Sequence, residues 1–163
     1  MALKLILTRH AKSSWKHPEL ADHDRPLNKR GRASAEAVGN WLRHEKMVPD
    51  EILSSSSERT RETTKLMDFE TETVFEDDLY HASASAMLKR LKQAQGKKVM
   101  MVGHNPGIGE FAERLARKHS AHKRFLDYPT GATTVFKFDA ESWDEVGFGS
   151  GKVKKFVVPR ELD

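Results

Sequence analysis

The chain has 163 residues, with 28 Lys and Arg against 24 Asp and Glu, a formal net charge of +4 and no cysteine. That length suits one domain, residues 1–163, with a core that needs no covalent staple. The missing cysteine excludes a disulfide framework, a thiol nucleophile and any Cys-ligated zinc or iron–sulfur centre.

Leu3 to Thr8 form a short apolar run that breaks at Arg9-His10 with no small-residue cleavage site, so it reads as a first buried strand, not a leader. Residues 9–28 are polar and carry Pro18 and Pro26, which marks a loop. Ala33, Ala37, Val38, Trp41 and Leu42 recur at helical spacing and predict a helix over 30–46, stopped before Pro49. A short strand follows at Glu51–Ser54, then a helix over 58–68, a strand at Thr73–Phe75 and a helix over 84–94. Lys98–Val102 is a strand and Pro106–Lys118 a helix, opened by Asn105 as its cap with Pro106 in the first helical position. Two late strands, Thr133–Phe138 and Lys154–Val158, flank a turn rich in glycine at 147, 149 and 151. Strands alternating with helices predict an α/β layer fold with a largely parallel sheet. No apolar run approaches the roughly 20 residues of a membrane span. A cytoplasmic enzyme or binding protein is the expected class, with a monomer as the default.

In such sheets ligands sit outside the carboxyl ends of the strands. Three strand ends present chemistry: Arg9-His10 after the first, Ser55 to Arg59-Thr60 after the second, and Gly103-His104-Asn105-Pro106 after Lys98–Val102. Guanidinium forks match phosphoryl oxygens and stay charged at any working pH. Neutral imidazole carries a lone pair and is a possible nucleophile, and a second, protonated histidine would stabilise charge in the transition state. His104 would stand beside a helix N-terminus, where backbone amides favour an anion. The set points at phosphate and supplies no metal ligands.

The order Arg9-His10, Ser55-x-x-x-Arg59-Thr60 and Gly103-His104-Asn105-Pro106 resembles the histidine phosphatase superfamily of phosphoglycerate-mutase-like fold. Asp24-Arg25-Pro26-Leu27-x-x-x-Gly31 is similar to a signature of its small SixA-type phosphohistidine phosphatases. Leu79-Tyr80-x-Ala82, Pro129-Thr130-Gly131-Ala132 and the ending Phe156–Leu162 are similar to that subgroup too. The resemblance implies a three-layer α/β/α sandwich, no cofactor, His10 as a nucleophile that becomes transiently phosphorylated, and Arg9, Arg59 and His104 completing the phosphate pocket. Ser13 and Asn105 are expected to add phosphate or substrate contacts.

The chain departs from the family pattern in two places. Ala11 stands where many members have glycine, which is tolerable unless the position needs positive φ. Where mutase-like members carry a glutamate acid two residues after a leucine, aligning Leu79 places His81. Glu76, Asp77 and Asp78 lie just upstream and read as a solvated acidic turn. An alkoxide leaving group needs protonation in the transition state, whereas phosphohistidine can shed a neutral imidazole. The expected substrate is therefore phosphohistidine on a phosphotransfer or phosphocarrier protein, oriented by Lys12, Lys16 and Arg25. The alternatives are a phosphomonoesterase for small esters and a non-catalytic phosphoprotein-binding module.

Other features carry less. Residues 1–48 hold ten Lys/Arg against five Asp/Glu, and Asp68–Asp78 holds six acids. Arg114, Arg117, Lys118, Lys123 and Arg124 read as a solvated basic face. His119-x-x-His122 lacks partners at metal-ligand spacing. Gly147–Lys152 reads as a turn, Trp15 and Trp41 as packing residues, with a substrate contact near the pocket mouth as the alternative for Trp15, and no aromatic-plus-basic motif points to nucleic acid.

Overall fold

Leu3, Leu5 and Leu7 pack to one face of the first strand and Ile6 to the other, so this strand is apolar on both sides and must lie between two layers. The computed structural model describes residues 2–163 and shows those layers. Strands β1 (Leu3–Arg9), β2 (Glu51–Ser55), β3 (Thr73–Glu76), β4 (Lys98–Gly103), β5 (Thr133–Phe138) and β6 (Lys152–Val157) form one sheet in the order β3-β2-β4-β1-β5-β6. Helices α1 (Lys29–His44) and α2 (Glu58–Met67) cover the face carrying Ile6, Ile52, Met100 and Val102. Helices α3 (Ala84–Leu91) and α4 (Gly107–Leu115) cover the other face, where Val99, Met101 and Phe136 meet Met87, Ile108 and Phe111. This is a three-layer α/β/α sandwich, as the resemblance implies.

Three strand pairings, β1–β4, β2–β4 and β2–β3, are parallel. The last two strands depart from the parallel pattern: β5 runs antiparallel to both β1 and β6. For the β5–β6 pair the connection fits: residues 139–151 hold turns and one short 3-10 helix, Trp143–Glu145, and no crossover α-helix of the kind that usually joins parallel neighbours.

The helices begin as their sequences dictate. Asn28 Oδ1 accepts from Gly31 N at 2.7 Å to cap α1, and Ser83 Oγ accepts from Ala86 N at 3.1 Å to cap α3. Helix α4 differs from expectation at both ends. It starts at Gly107 with Pro106 in the capping place, because Asn105 sits one residue further out and reaches back with Oδ1 to Gly109 N at 3.0 Å. It stops at Leu115 because the next peptides pair with Gly151: Gly151 N donates to Leu115 O and Arg117 N to Gly151 O. Strand β6 accordingly starts at Lys152, earlier than expected, straight after that pairing.

Two glycines hold the first loop in place. A Cβ on Gly31 would lie 2.0 Å from Lys12 O, so only glycine lets α1 approach this closely. Gly131 has φ +76°, and its N–H is shared between Arg9 O and His10 O at 3.1 and 2.9 Å. No helix among the described residues is long and apolar enough to cross a membrane.

Candidate active site

The parallel register decides what meets at the sheet's carboxyl end. Arg9 pairs with Gly103, so His10 and His104 leave adjacent strands side by side, with ring centroids 5.2 Å apart. Strand β2 flanks β4 on its other side, and Ser55 Oγ lies 2.8 Å from His104 Nε2. Ser57 then caps α2 by accepting from Thr60 N at 3.3 Å, which sets Arg59 in the first turn facing the same space. Arg9, His10, Arg59 and His104, the four residues singled out from the strand ends, line one cavity of about 340 Å³ with Lys12, Ser13, Trp15, Arg25, Asn105 and Thr130.

His10 is 5% exposed, and its Nδ1–H donates to the Ala11 carbonyl at 2.7 Å. With Nδ1 carrying the proton, Nε2 of the neutral ring keeps its lone pair. Burial is the main force holding this ring neutral. It outweighs the Ala11 hydrogen bond and, with the Arg9, Arg59 and Arg25 charges, pulls the pKa down to about 3. Ala11 itself is not among the residues with positive φ, so its methyl group is accommodated without strain; its N–H donates to Thr63 Oγ1 at 3.1 Å.

His104 is also held neutral, first by burial and then by His10 and Arg59, with a pKa lowered to about 2. The expectation of a protonated second histidine therefore does not describe the protein by itself. A phosphoryl dianion among these groups reverses the sign of the local field and raises the pKa.

The two arginines are anchored from opposite walls. Arg9 Nη1 donates to Tyr128 O at 3.2 Å. Tyr128 sits at φ +45°, uncommon for a bulky residue, and that conformation helps turn its carbonyl to this place. The strained turn is held by the buried Tyr128 hydroxyl, which donates to Leu7 O at 2.7 Å. Arg59, 6% exposed, donates from Nη1 to Asp22 O at 2.6 Å and from Nη2 to Asp22 Oδ2 at 2.9 Å.

Among the described residues, three buried side-chain nitrogens lack a protein partner: Arg9 Nε, Arg59 Nε and His104 Nδ1. All three belong to this one constellation. The two guanidinium nitrogens are charged N–H donors, and a buried unpaired donor costs about 1–3 kcal/mol, more when charged; His104 Nδ1 joins them as a donor once an anion raises that ring's pKa, so the three mark a place built to receive an acceptor-rich anion.

The other expected contacts fall out differently. Ser13 lines the cavity, but its Oγ accepts from Arg25 Nη1 at 2.8 Å. Asn105 also lines it, yet its side chain is committed to the protein: Nδ2 donates to Asp127 O at 3.1 Å and Tyr128 O at 2.9 Å, while Oδ1 holds Gly109 N. It positions the wall that anchors Arg9. Arg25 is buried, not displayed, with bonds to Ser13 Oγ, Ser14 O and Asp22 Oδ1. Trp15 is no packing residue: it is 77% exposed at the cavity and stacks on Arg25, with the guanidinium carbon 3.7 Å from the ring centroid. Trp41 does pack against the α1–α2 face of the core.

None of the suspected acids reaches the cavity wall. Glu76 pairs with Arg90 at 2.5 and 2.9 Å, Asp77 accepts from Ser56 Oγ, and Asp78 is exposed. His81 is exposed and stacks on Tyr80 with centroids 3.9 Å apart. His122 Nε2 meets Glu161 at 3.0 Å, and no cluster of three or more metal-ligating side chains occurs among the described residues.

Asp22 was not singled out from the sequence, and Tyr80 only as part of the Leu79-Tyr80-x-Ala82 motif, with no role at the site. Asp22 gathers Arg59, Arg25 and the Tyr80 hydroxyl, which donates to its Oδ2. Partial desolvation pushes this carboxyl up, but the Tyr80 and Arg59 hydrogen bonds win and hold it well below the usual carboxylate range. The Tyr80 ring also packs edge-on against His104, with centroids 5.4 Å apart. An aspartate three residues before the Arg-Pro pair, and a tyrosine after Leu79, were the available signals.

A profile of the histidine phosphatase superfamily, branch 1, matches residues 5–83, a span that includes Arg9, His10 and Arg59. An uncharacterised chloroplastic protein of Arabidopsis thaliana is 32% identical over 96% of this chain and 78% of its own. The chain belongs to the histidine phosphatase superfamily. Among solved structures, one assigned as a SixA-type phosphohistidine phosphatase from Agrobacterium tumefaciens is 28% identical, covers 96% of this chain and 98% of its own, and superposes with a TM-score of 0.78. Another, so assigned from Nakamurella multipartitia, has a TM-score of 0.87 at 24% identity, covering 98% and 97% of the two chains. This histidine phosphatase is thus of the SixA type in fold, and a phosphatase in its general chemistry.

Proposed function

We propose that this histidine phosphatase hydrolyses phosphohistidine displayed on a phosphotransfer or phosphocarrier protein, through a phosphorylated His10. The observation that carries the reading is the pairing of a free Nε2 lone pair with three unmatched buried nitrogens around one small cavity. Arg9 and Arg59 neutralise the phosphoryl oxygens, and His104 adds a third donor.

In the first step His10 Nε2 attacks phosphorus and the bond from phosphorus to the substrate imidazole breaks. The substrate ring first takes a proton from solvent on its other nitrogen, so it departs as neutral imidazole. Water then attacks phosphorus, the electron pair of the P–Nε2 bond returns to His10, and dihydrogen phosphate leaves. The guanidinium charges do the work that a metal does elsewhere, and no cofactor enters either step.

The surroundings support phosphohistidine over an alkyl ester. Among the described residues no carboxylate lines the cavity, and Asp22, which reaches it through Arg59, is held in its ionised form and cannot give a proton. We place the activity in the cytoplasm, in a single-domain monomer. Metal-free turnover of a phosphohistidine protein beside an alkyl phosphate tests the reading. Turnover of the first, with the second slower by about 10²-fold or more, is expected for a site without a general acid. Efficient hydrolysis of the alkyl phosphate would hand the site to small esters, and phosphate binding without turnover of either would make it a binding module.

A further inference from the structure

The mouth of the cavity has a surface that phosphate chemistry does not need. Trp15 exposes most of its indole there, and the ring rests on Arg25, which three hydrogen bonds hold rigid. A large aromatic side chain already fixed on a rigid plate loses little conformational freedom when something covers it. That is the kind of residue that dominates binding energy at protein interfaces. Leu126 is a second exposed apolar side chain at 58%, next to Asp127, whose carbonyl Asn105 fastens to the cavity wall. Lys12 and Lys16 are exposed beside the indole in sequence, and Lys12 also lines the cavity.

The size of the occupant follows from these positions. A small phosphate compound held by Arg9, Arg59 and His104 stays within about 340 Å³, and Leu126 lies outside that wall. A ligand confined to the cavity does not reach Leu126, so contact with both Trp15 and Leu126 needs one that extends beyond it. The exposed lysines favour a ligand with carboxylates near its reactive group.

We infer that Trp15, supported by Leu126, is the docking anchor for the protein that presents the phosphohistidine. The partner meets the indole with an apolar patch next to its phosphorylated histidine and meets Lys12 and Lys16 with flanking carboxylates. This inference rests on the phosphohistidine reading above and adds the surface that selects a protein over a free phosphoramidate.

The test compares two substrates: a phosphotransfer domain phosphorylated with phosphoramidate, and the free amino acid N-phosphohistidine. In Trp15→Ala, kcat/KM for the domain is expected to fall at least tenfold relative to kcat/KM for the free amino acid. Trp15→Phe restores most of it. Leu126→Ala, outside the cavity, lowers the domain value about threefold and leaves the free amino acid unchanged. Equal losses on both substrates in Trp15→Ala would overturn the inference, since the indole would then serve the leaving ring. No loss on the domain would overturn it as well. Wild-type turnover of the free amino acid alone would sink the docking surface and spare the chemistry, whereas turnover of neither would sink the phosphohistidine reading itself.

Discussion

The floor of the cavity and the segment 12–25 that walls it differ in what fixes their groups. On the floor, His10 and His104 sit on the ends of neighbouring parallel strands, and the β1–β4 register alone brings them together. In the wall, Asp22, Arg25 and Trp15 lie in a segment with little regular structure. They are held by side-chain bonds to each other and to Arg59 and Tyr80. The floor keeps buried nitrogens unmatched, while the wall pairs its inner charges through Asp22, which meets both Arg25 and Arg59. The fold thus places the reactive groups, and a polar network tunes their aim and their access.

The comparison is broken most severely at the floor. His10→Ala removes the attacking atom and is expected to lower turnover by roughly 10³-fold or more while inorganic phosphate still binds. Retained activity would mean that another group attacks. In the wall, Asp22→Ala leaves the fold intact but frees Arg59 and Arg25. A loss of about 10–100-fold in kcat/KM is expected from the charged hydrogen bonds removed, with a smaller loss in Asp22→Asn. An unchanged kcat/KM would show that Arg59 needs no holding.

Asn105→Ala tests the junction between floor and wall. It deletes bonds to two carbonyls and one amide, for a cost of about 2 kcal/mol and a melting temperature lower by roughly 4–8 °C. The mildest test is a titration. His10 and His104 are held neutral by burial, so their ring-proton shifts should stay constant between pH 8 and 5 in the free protein. The sign for stability follows: the unfolded chain protonates near 6.5 and the folded one only near 3, so this contribution is complete above pH 6.5 and declines as the pH falls toward 3. A midpoint near 6.5 for either ring would contradict the buried-neutral description.

The two regions also differ in how far the sequence announces them. Arg9-His10, Arg59 and Gly103-His104 follow strands whose apolar runs are plain, and the rule that ligands sit at strand carboxyl ends brings them together. The wall depends on contacts between distant residues. Asp22 reaches Arg59 across 37 positions and Tyr80 across 58, and nothing local in a polar loop marks such partners. Trp15 stays open between packing and a place at the pocket mouth for the same reason, since an indole in a loop gives no periodicity to say whether it packs inward or lies on an arginine. The antiparallel edge was hidden because strand patterning is the same in both directions. The capping place of Asn105 moved by one residue because its side chain is drawn to Gly109, Asp127 and Tyr128.

The central claim is that His10 Nε2 takes the phosphoryl group. Reaction with a phosphohistidine protein, quenched in alkali within one turnover and mapped by mass spectrometry, tests it most directly. The expected result is a transient phosphoryl group on His10, absent in His10→Ala. A phosphoryl group on His104, or full turnover with no phosphorylated enzyme at any time, would contradict it.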